Sequence, residues 1–116
     1  MTRAARLAML AAYAQEASCP PLAPCAIRLP GGDSVQVDGA TSDESVIVEI
    51  EEHEDPHHEG LRARSWQALM TLSLARSARP HARGVLLVAS ESVRDAVLAW
   101  LPAHLTDSIE VEVVQV

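Results

Sequence analysis

The chain predicts an α/β (α+β) domain with the element order α-β-β-β-α-β-α-β, and three observations set that class. Between residues 25 and 51, three stretches with period-2 alternation follow one another, separated only by short turn signals. A long helical pattern comes next, without a strand signal inside it. Then Gly84-Val85-Leu86-Leu87-Val88-Ala89 forms an unbroken apolar run, as expected of a strand buried on both faces. A strand, a long helix and a buried strand make a crossover, so the apolar run should lie parallel to Ser45–Glu51. The result is a mixed central sheet, with an antiparallel meander on one side and helices on its faces.

Each element has its own local cause. Residues 2–17 read as an amphipathic helix with Leu7, Leu10 and Ala14 on one stripe and Arg3 and Arg6 in the opening turns. Its internal Gln15-Glu16 suits a packed helix better than a cleaved leader. Cys19 to Pro24 is a stiff connector. Cys25–Leu29 is a short strand, and Pro30-Gly31-Gly32-Asp33 turns it into Ser34–Thr41. In the expected register Ile27 and Leu29 meet Val37 and Val35, which puts Arg28 beside Gln36 and near Asp38. If Ser42 and Asp43 form the next turn, Val37 lies opposite Val48, Asp38 opposite Ile47, and Glu49 diagonal to Asp38. Val35, Val37, Val46, Val48 and Ile50 would then share one apolar face.

Asp55-Pro56 is an expected helix start, Asp as cap and Pro in the first turn. That helix should run to about Ala78 with Trp66, Leu69, Met70, Leu72 and Leu74 inward. Arg76 and Arg79 suit its C-terminal end and Pro80 stops it. Ser90 is placed to cap a helix through Leu101, burying Val93, Val97, Leu98 and Trp100 or Leu101. Ile109, Val111 and Val113 alternate with Glu110 and Glu112, as a half-exposed edge strand does.

Composition narrows the classes further. With 116 residues, one domain covering 1–116 is expected. A 48% hydrophobic, 22% charged chain is that of a water-soluble globular domain, and with no Phe its core must be aliphatic. The net charge of −7 argues against a general electrostatic grip on nucleic acid. Lysine is absent, so every fixed positive side chain is an arginine. Cys19 and Cys25, in Cys-Pro-Pro-Leu-Ala-Pro-Cys, match neither a redox pair nor a zinc knuckle and read as reduced thiols of a cytoplasmic protein. No apolar run is long enough for a membrane span, so no membrane partner is expected.

The stretch Ser34–Glu51 is where the sequence departs from ordinary strand chemistry. Asp and Glu are poor strand formers, yet Asp38, Glu49 and Glu51 all stand in strands. Asp38 before Gly39 is also what a turn residue does. Glu51 at a strand end is expected to be solvated, with ligation as its functional alternative. Glu49 lies deeper in an apolar strand, where a lone carboxylate is costly without a partner. Two unit charges about 5 Å apart repel by roughly 3 kcal/mol at an effective dielectric of 20. Such a pair therefore requires a metal, a raised carboxyl pKa or an arginine, and Arg28 is the best-placed arginine in the expected register.

Helix, three-strand meander, helix and parallel strand is also the core order of the PD-(D/E)XK nuclease superfamily, the restriction-endonuclease-like fold, which the chain resembles over residues 2–90. Asp38 sits where that family carries its metal-binding Asp, and Val46-Ile47-Val48-Glu49-Ile50-Glu51 is similar to its apolar run into (D/E)-X-K. Asp38-Gly39, Glu49, His53 and Arg62/Arg64 also match the outline of small uncharacterised bacterial members. The resemblance implies a Mg²⁺ (or Mn²⁺) ion held by Asp38 and Glu49, with Glu51 supporting catalysis. It implies phosphodiester hydrolysis on DNA or RNA, with Arg28, His53, Arg62 and Arg64 as substrate contacts. One position departs from the motif: Glu51 stands where the family has its lysine. Two readings follow, a metal-dependent nuclease with a degenerate motif, or a catalytically inactive nuclease fold serving as a binding or assembly module. In the second, the edge strand Ile109–Val116 would pair with another copy or another protein.

Overall fold

The computed structural model describes residues 1–106 and 108–115, without the side chain of Thr106. The elements are α1 (Arg3–Glu16), β1 (Ala23–Arg28), β2 (Ser34–Ala40), β3 (Val46–Ile50), α2 (Leu61–Ala78), β4 (Arg83–Val88), α3 (Glu91–Trp100), α4 (Ala103–Thr106) and β5 (Ile109–Val113). The α+β class and the expected order hold, with the short α4 as an addition. One five-stranded sheet has the order β1-β2-β3-β4-β5. β2 pairs antiparallel with both β1 and β3, whereas β4 is parallel to β3, as the crossover requires, and β5 is parallel to β4. Val116 of the expected edge strand lies outside the described residues.

The sheet separates two apolar layers. On one side α1 packs Met9, Leu10 and Tyr13 onto Val46, Val48, Ile50, Val85 and Leu87. On the other, Leu69 and Leu72 of α2 and Val93 and Val97 of α3 cover Ile47, Leu86 and Val88. Burying each Leu, Ile or Val side chain contributes about 1.5–3 kcal/mol, and both faces of β3 and β4 collect it. Ser90 caps α3 by accepting from the Val93 N–H at 3.3 Å, and Thr2 caps α1 by accepting from the Ala5 N–H at 3.1 Å.

Several expectations are corrected. Ile27 pairs with Val35 and Cys25 with Val37, so the first hairpin is displaced by two residues and Arg28 sits opposite Ser34, away from Asp38. The cause is the turn: Leu29 itself belongs to it, accepting from the Gly32 N–H and donating to Asp33 O, with Gly32 at φ 94°. In the second hairpin Gly39 pairs with Val48 and Ala40 with Ile47, again two residues from the expected register. The turn there spans Ser42 to Ser45. Thr41 and Val46 close it backbone to backbone, and Glu44 adopts φ 58°.

Val37 also joins Ile47 on the α2 side, not Val46, Val48 and Ile50. An irregularity in β1–β2 pairing, between Ala23–Ala40 and Cys25–Val37, falls beside Asp38-Gly39 and changes the side-chain alternation. Helix α2 begins at Leu61, not Pro56. Asp55 forms a turn instead, its carboxylate accepting from the His57 N–H and its carbonyl from the His58 N–H. Met70 (64% exposed) and Leu74 face outward, because the covered stripe of α2 is Leu61, Ser65, Ala68, Leu69, Leu72 and Ala75, and Leu98 faces outward on α3, whose buried residues are Val93 and Val97.

Candidate functional site

The β2–β3 register brings Asp38 level with Glu49, and their carboxylates replace ladder hydrogen bonds. The Asp38 N–H donates to Glu49 Oε2 at 2.7 Å, and the Ile50 N–H donates to Asp38 Oδ2 at 2.8 Å. The diagonal relation expected from the sequence is thus a direct one. Glu49 is only 5% exposed. Burial, and next the negative charge of Asp38, push its carboxyl up to about 8. The Asp38 N–H and the Arg64 guanidinium oppose the shift without cancelling it.

The cation at this pair comes from α2. Arg64 Nη2 lies 3.9 Å from Asp38 Oδ2 and donates to Ile50 O at 3.4 Å. Arg28 is exposed on β1 and takes no part. Arg62 turns another way, its guanidinium 5.6 Å from the ring centroid of Trp100. Positions 62 and 64 point to different sides of a helix, so only one of the two expected arginines can reach the acidic strands.

Glu51 is buried, contrary to the solvated strand end expected for it. Its Oε1 accepts from the His53 N–H at 3.0 Å and meets His53 Nδ1 at 2.5 Å, and its Oε2 accepts from Ser65 Oγ at 2.9 Å. As a carboxylate Glu51 only accepts, so it places the hydrogen on Nδ1 of His53. The His53 ring stacks on His58, centroids 4.1 Å apart. At Gly60 a Cβ would come within 3.3 Å of His53 Nε2 and 3.2 Å of the His58 ring, so a side chain there would crowd both imidazoles. Ser65 was not apparent from the sequence, since only the fold brings α2 against the end of β3.

Asp38 and Glu49 supply two hard oxygen donor groups on adjacent strands. That set fits a Mg²⁺ or Mn²⁺ ion, which usually takes one or two carboxylates and completes its shell with water and substrate phosphate. Both oxygens of Glu51 are already engaged, and among the described residues no group of three His, Cys, Asp or Glu side chains is placed to hold a metal ion.

Next to Asp38 a cavity of about 340 Å³ opens between α1 and β2, walled by Arg3, Arg6 and Leu7 on one side and by Gln36, Val37 and Asp38 on the other. Arg3 and Arg6, in the opening turns of α1, are functional candidates that the sequence alone does not single out. Their i, i+3 spacing was the available signal. No helix among the described residues is long and apolar enough to cross a membrane. The chain matches no protein-family model, no curated protein and no solved structure.

Proposed function

We propose that the chain is a divalent-metal-dependent phosphodiester hydrolase, a nuclease, in which Asp38 and Glu49 hold Mg²⁺ or Mn²⁺. The observation that carries this reading is the meeting of these carboxylates across β2 and β3, one of them buried and raised toward its neutral form. A buried acidic pair on a central hairpin is a standing electrostatic cost, and a divalent ion removes it. Bound there, the ion would neutralise charge on a scissile phosphate and favour a hydroxide form of its water.

The chain's own residues have definite parts in this reading. Asp38 and Glu49 supply ligand oxygens. Arg64 offers only N–H donors, so it suits a phosphate oxygen and not the role of a base. Glu51 orients His53, whose Nε2 is the nitrogen free to accept a proton. The test is calorimetric titration with Mn²⁺ together with incubation of DNA and RNA in Mg²⁺ or Mn²⁺. Wild type should bind the metal and cut, and Glu49→Ala should do neither. Absence of metal binding at millimolar concentration defeats the reading.

A second reading is supported by a separate observation: the carboxylate of Glu51, which in the resemblance stands where the family has its lysine, is buried between His53 and Ser65. A fold whose third motif residue serves packing is suited to a binding or assembly module. Its docking element would be β5, the sheet's last strand. Metal binding without cleavage, together with concentration-dependent dimers by light scattering, would favour this alternative.

A further inference from the structure

From the cavity between α1 and β2 we infer that this protein holds a phosphate of a nucleic-acid strand between Arg3 and Arg6, in a cavity that Asp38 also lines. The inference rests on the hydrolase reading for the identity of the ligand, but not for the existence of the anion site.

Charge distribution is the first support. The chain carries nine basic side chains, all arginines, against sixteen acidic ones. In so acidic a molecule, one arginine ion-pairs with Asp38 and two more line a cavity that Asp38 also lines. Arg64 reaches Asp38 from α2, while Arg3 and Arg6 share a cavity with Asp38 from α1. A single arginine would suffice to offset Asp38. Arg64 offsets Asp38 and Arg6 offsets Glu52, so of the three it is Arg3 whose charge is left for a further anion.

The state of each arginine is the second support. Arg6 lines the cavity and is ion-paired with Glu52. Arg3 makes no ion pair among the described residues, yet lines the same cavity. One arginine is therefore held and the other is available, and the planar guanidinium matches a phosphate in bidentate fashion. Gln36 on the facing strand adds an amide that can donate to the same oxygens. Leu7, Leu10 and Pro24 supply an apolar floor that suits a sugar or base edge.

Position is the third support. Asp38 belongs both to the cavity and to the acidic pair. A strand whose phosphate rests on Arg3 and Arg6 thus delivers its neighbouring phosphate toward Asp38 and Glu49. This gives an acidic protein a local rather than a general grip on a polyanion, consistent with its overall charge.

The experiment uses fluorescence anisotropy with a short fluorescein-labelled single-stranded deoxyoligonucleotide, in metal-free buffer, across a salt series. Arg3→Gln should weaken binding about tenfold and reduce the log–log salt slope by about 0.7, the value for one lost phosphate contact on a single strand. Gln36→Glu, a surface change that places a like charge in the cavity, should weaken binding at least as much. Arg94→Gln on α3 should leave affinity and slope unchanged. Equal affinity and slope for wild type, Arg3→Gln and Gln36→Glu overturns the inference, as does absence of binding by wild type. Mn²⁺ calorimetry on the same proteins separates the two readings. Metal binding and cleavage that ignore Arg3→Gln defeat the anion site and leave the hydrolase standing. Arg3-dependent binding without a Mn²⁺ isotherm does the reverse.

Discussion

Asp38 and Glu49 are bound into each other's strands: the Asp38 N–H donates to the Glu49 carboxylate, and the Asp38 carboxylate accepts from the residue after Glu49. Two acids that repel are thereby held together by the backbone N–H groups of Asp38 and Ile50. The arrangement makes the centre of the meander sensitive to pH, to a bound cation and to Arg64, and each dependence can be measured.

The pH dependence follows from Glu49. Its folded carboxyl sits at about 8, against an ordinary value of 4.5. Between these values the folded chain binds the proton and the unfolded chain does not, so the stability contributed by protonated Glu49 is fully present below 4.5 and is lost as pH rises through 8. The slope is at most about 1.4 kcal/mol per pH unit for one proton. Urea unfolding across this range should show stability falling toward alkaline pH, and Glu49→Gln should flatten that limb. An unchanged limb in Glu49→Gln rules out Glu49 as its source.

Metal binding should be linked to the same proton. A cation needs the ionised carboxylate, so Mn²⁺ binding releases a proton when the titration starts below pH 8 and releases none well above it. Calorimetry in two buffers of different ionisation enthalpy reads that proton directly. Identical heats in both buffers near pH 6.5 would contradict the assignment of Glu49 as a ligand.

If Asp38 ligates a metal ion as proposed, Arg64 competes with that ion for it. Its Nη2 lies 3.9 Å from Asp38 Oδ2, and both side chains are about one quarter exposed. Removing that charge with Arg64→Gln should tighten Mn²⁺ binding several-fold, about 1 kcal/mol after solvent screening. In the hydrolase reading the same variant should also cleave more slowly, because it lacks the proposed phosphate contact. Weaker metal binding would mean that Arg64 holds Asp38 in place instead of opposing the ion.

The class, the element order and the parallel crossover were legible in the sequence, because these depend on periodicity and on one long helix. The register of both hairpins was not, because register depends on turn conformation. Glu44 at φ 58° and the Thr41-Asp43-Ser45 hydrogen-bond cluster close the second hairpin around a longer turn than Ser42-Asp43. Nothing in the composition of Asp43-Glu44-Ser45 announces a left-handed glutamate. From that slip came the wrong partner arginine, since Arg28 was placed by register and Arg64 is placed by tertiary packing of α2. The pairing of Asp38 with Glu49 was legible as proximity, not as hydrogen bonding. The burial of Glu51 was not legible at all, because its partner Ser65 lies on α2.

Glu51 should matter to stability more than its place at a strand end suggests. It is fully buried and satisfies Ser65 Oγ, the His53 N–H and the His53 ring. Glu51→Ala leaves these donors without an acceptor and opens a cavity, at a cost of about 2–4 kcal/mol. Glu51→Gln keeps the volume and an acceptor and should cost less. Chemical denaturation distinguishes the two, and a loss under about 0.5 kcal/mol for Glu51→Ala would show that water replaces the carboxylate freely.

Gly39 tests the closeness of α1 to the acidic pair. A Cβ at this position would lie 2.6 Å from Leu10 Cδ2, and Leu10 is itself buried against the sheet. Gly39→Ala must therefore displace Leu10 within a filled layer, at about 1–3 kcal/mol. Because Gly39 follows Asp38 and Leu10 lines the cavity with Arg3 and Arg6, the displacement should also weaken oligonucleotide binding. Shortening the obstacle provides the control: Leu10→Ala alone costs about 2–5 kcal/mol for its lost burial. In the double variant the added methyl fills part of that space, so the two losses should sum to more than the double loses. Strict additivity would mean that α1 moves away from the sheet instead of repacking, and the cavity beside Asp38 would then widen, not deform.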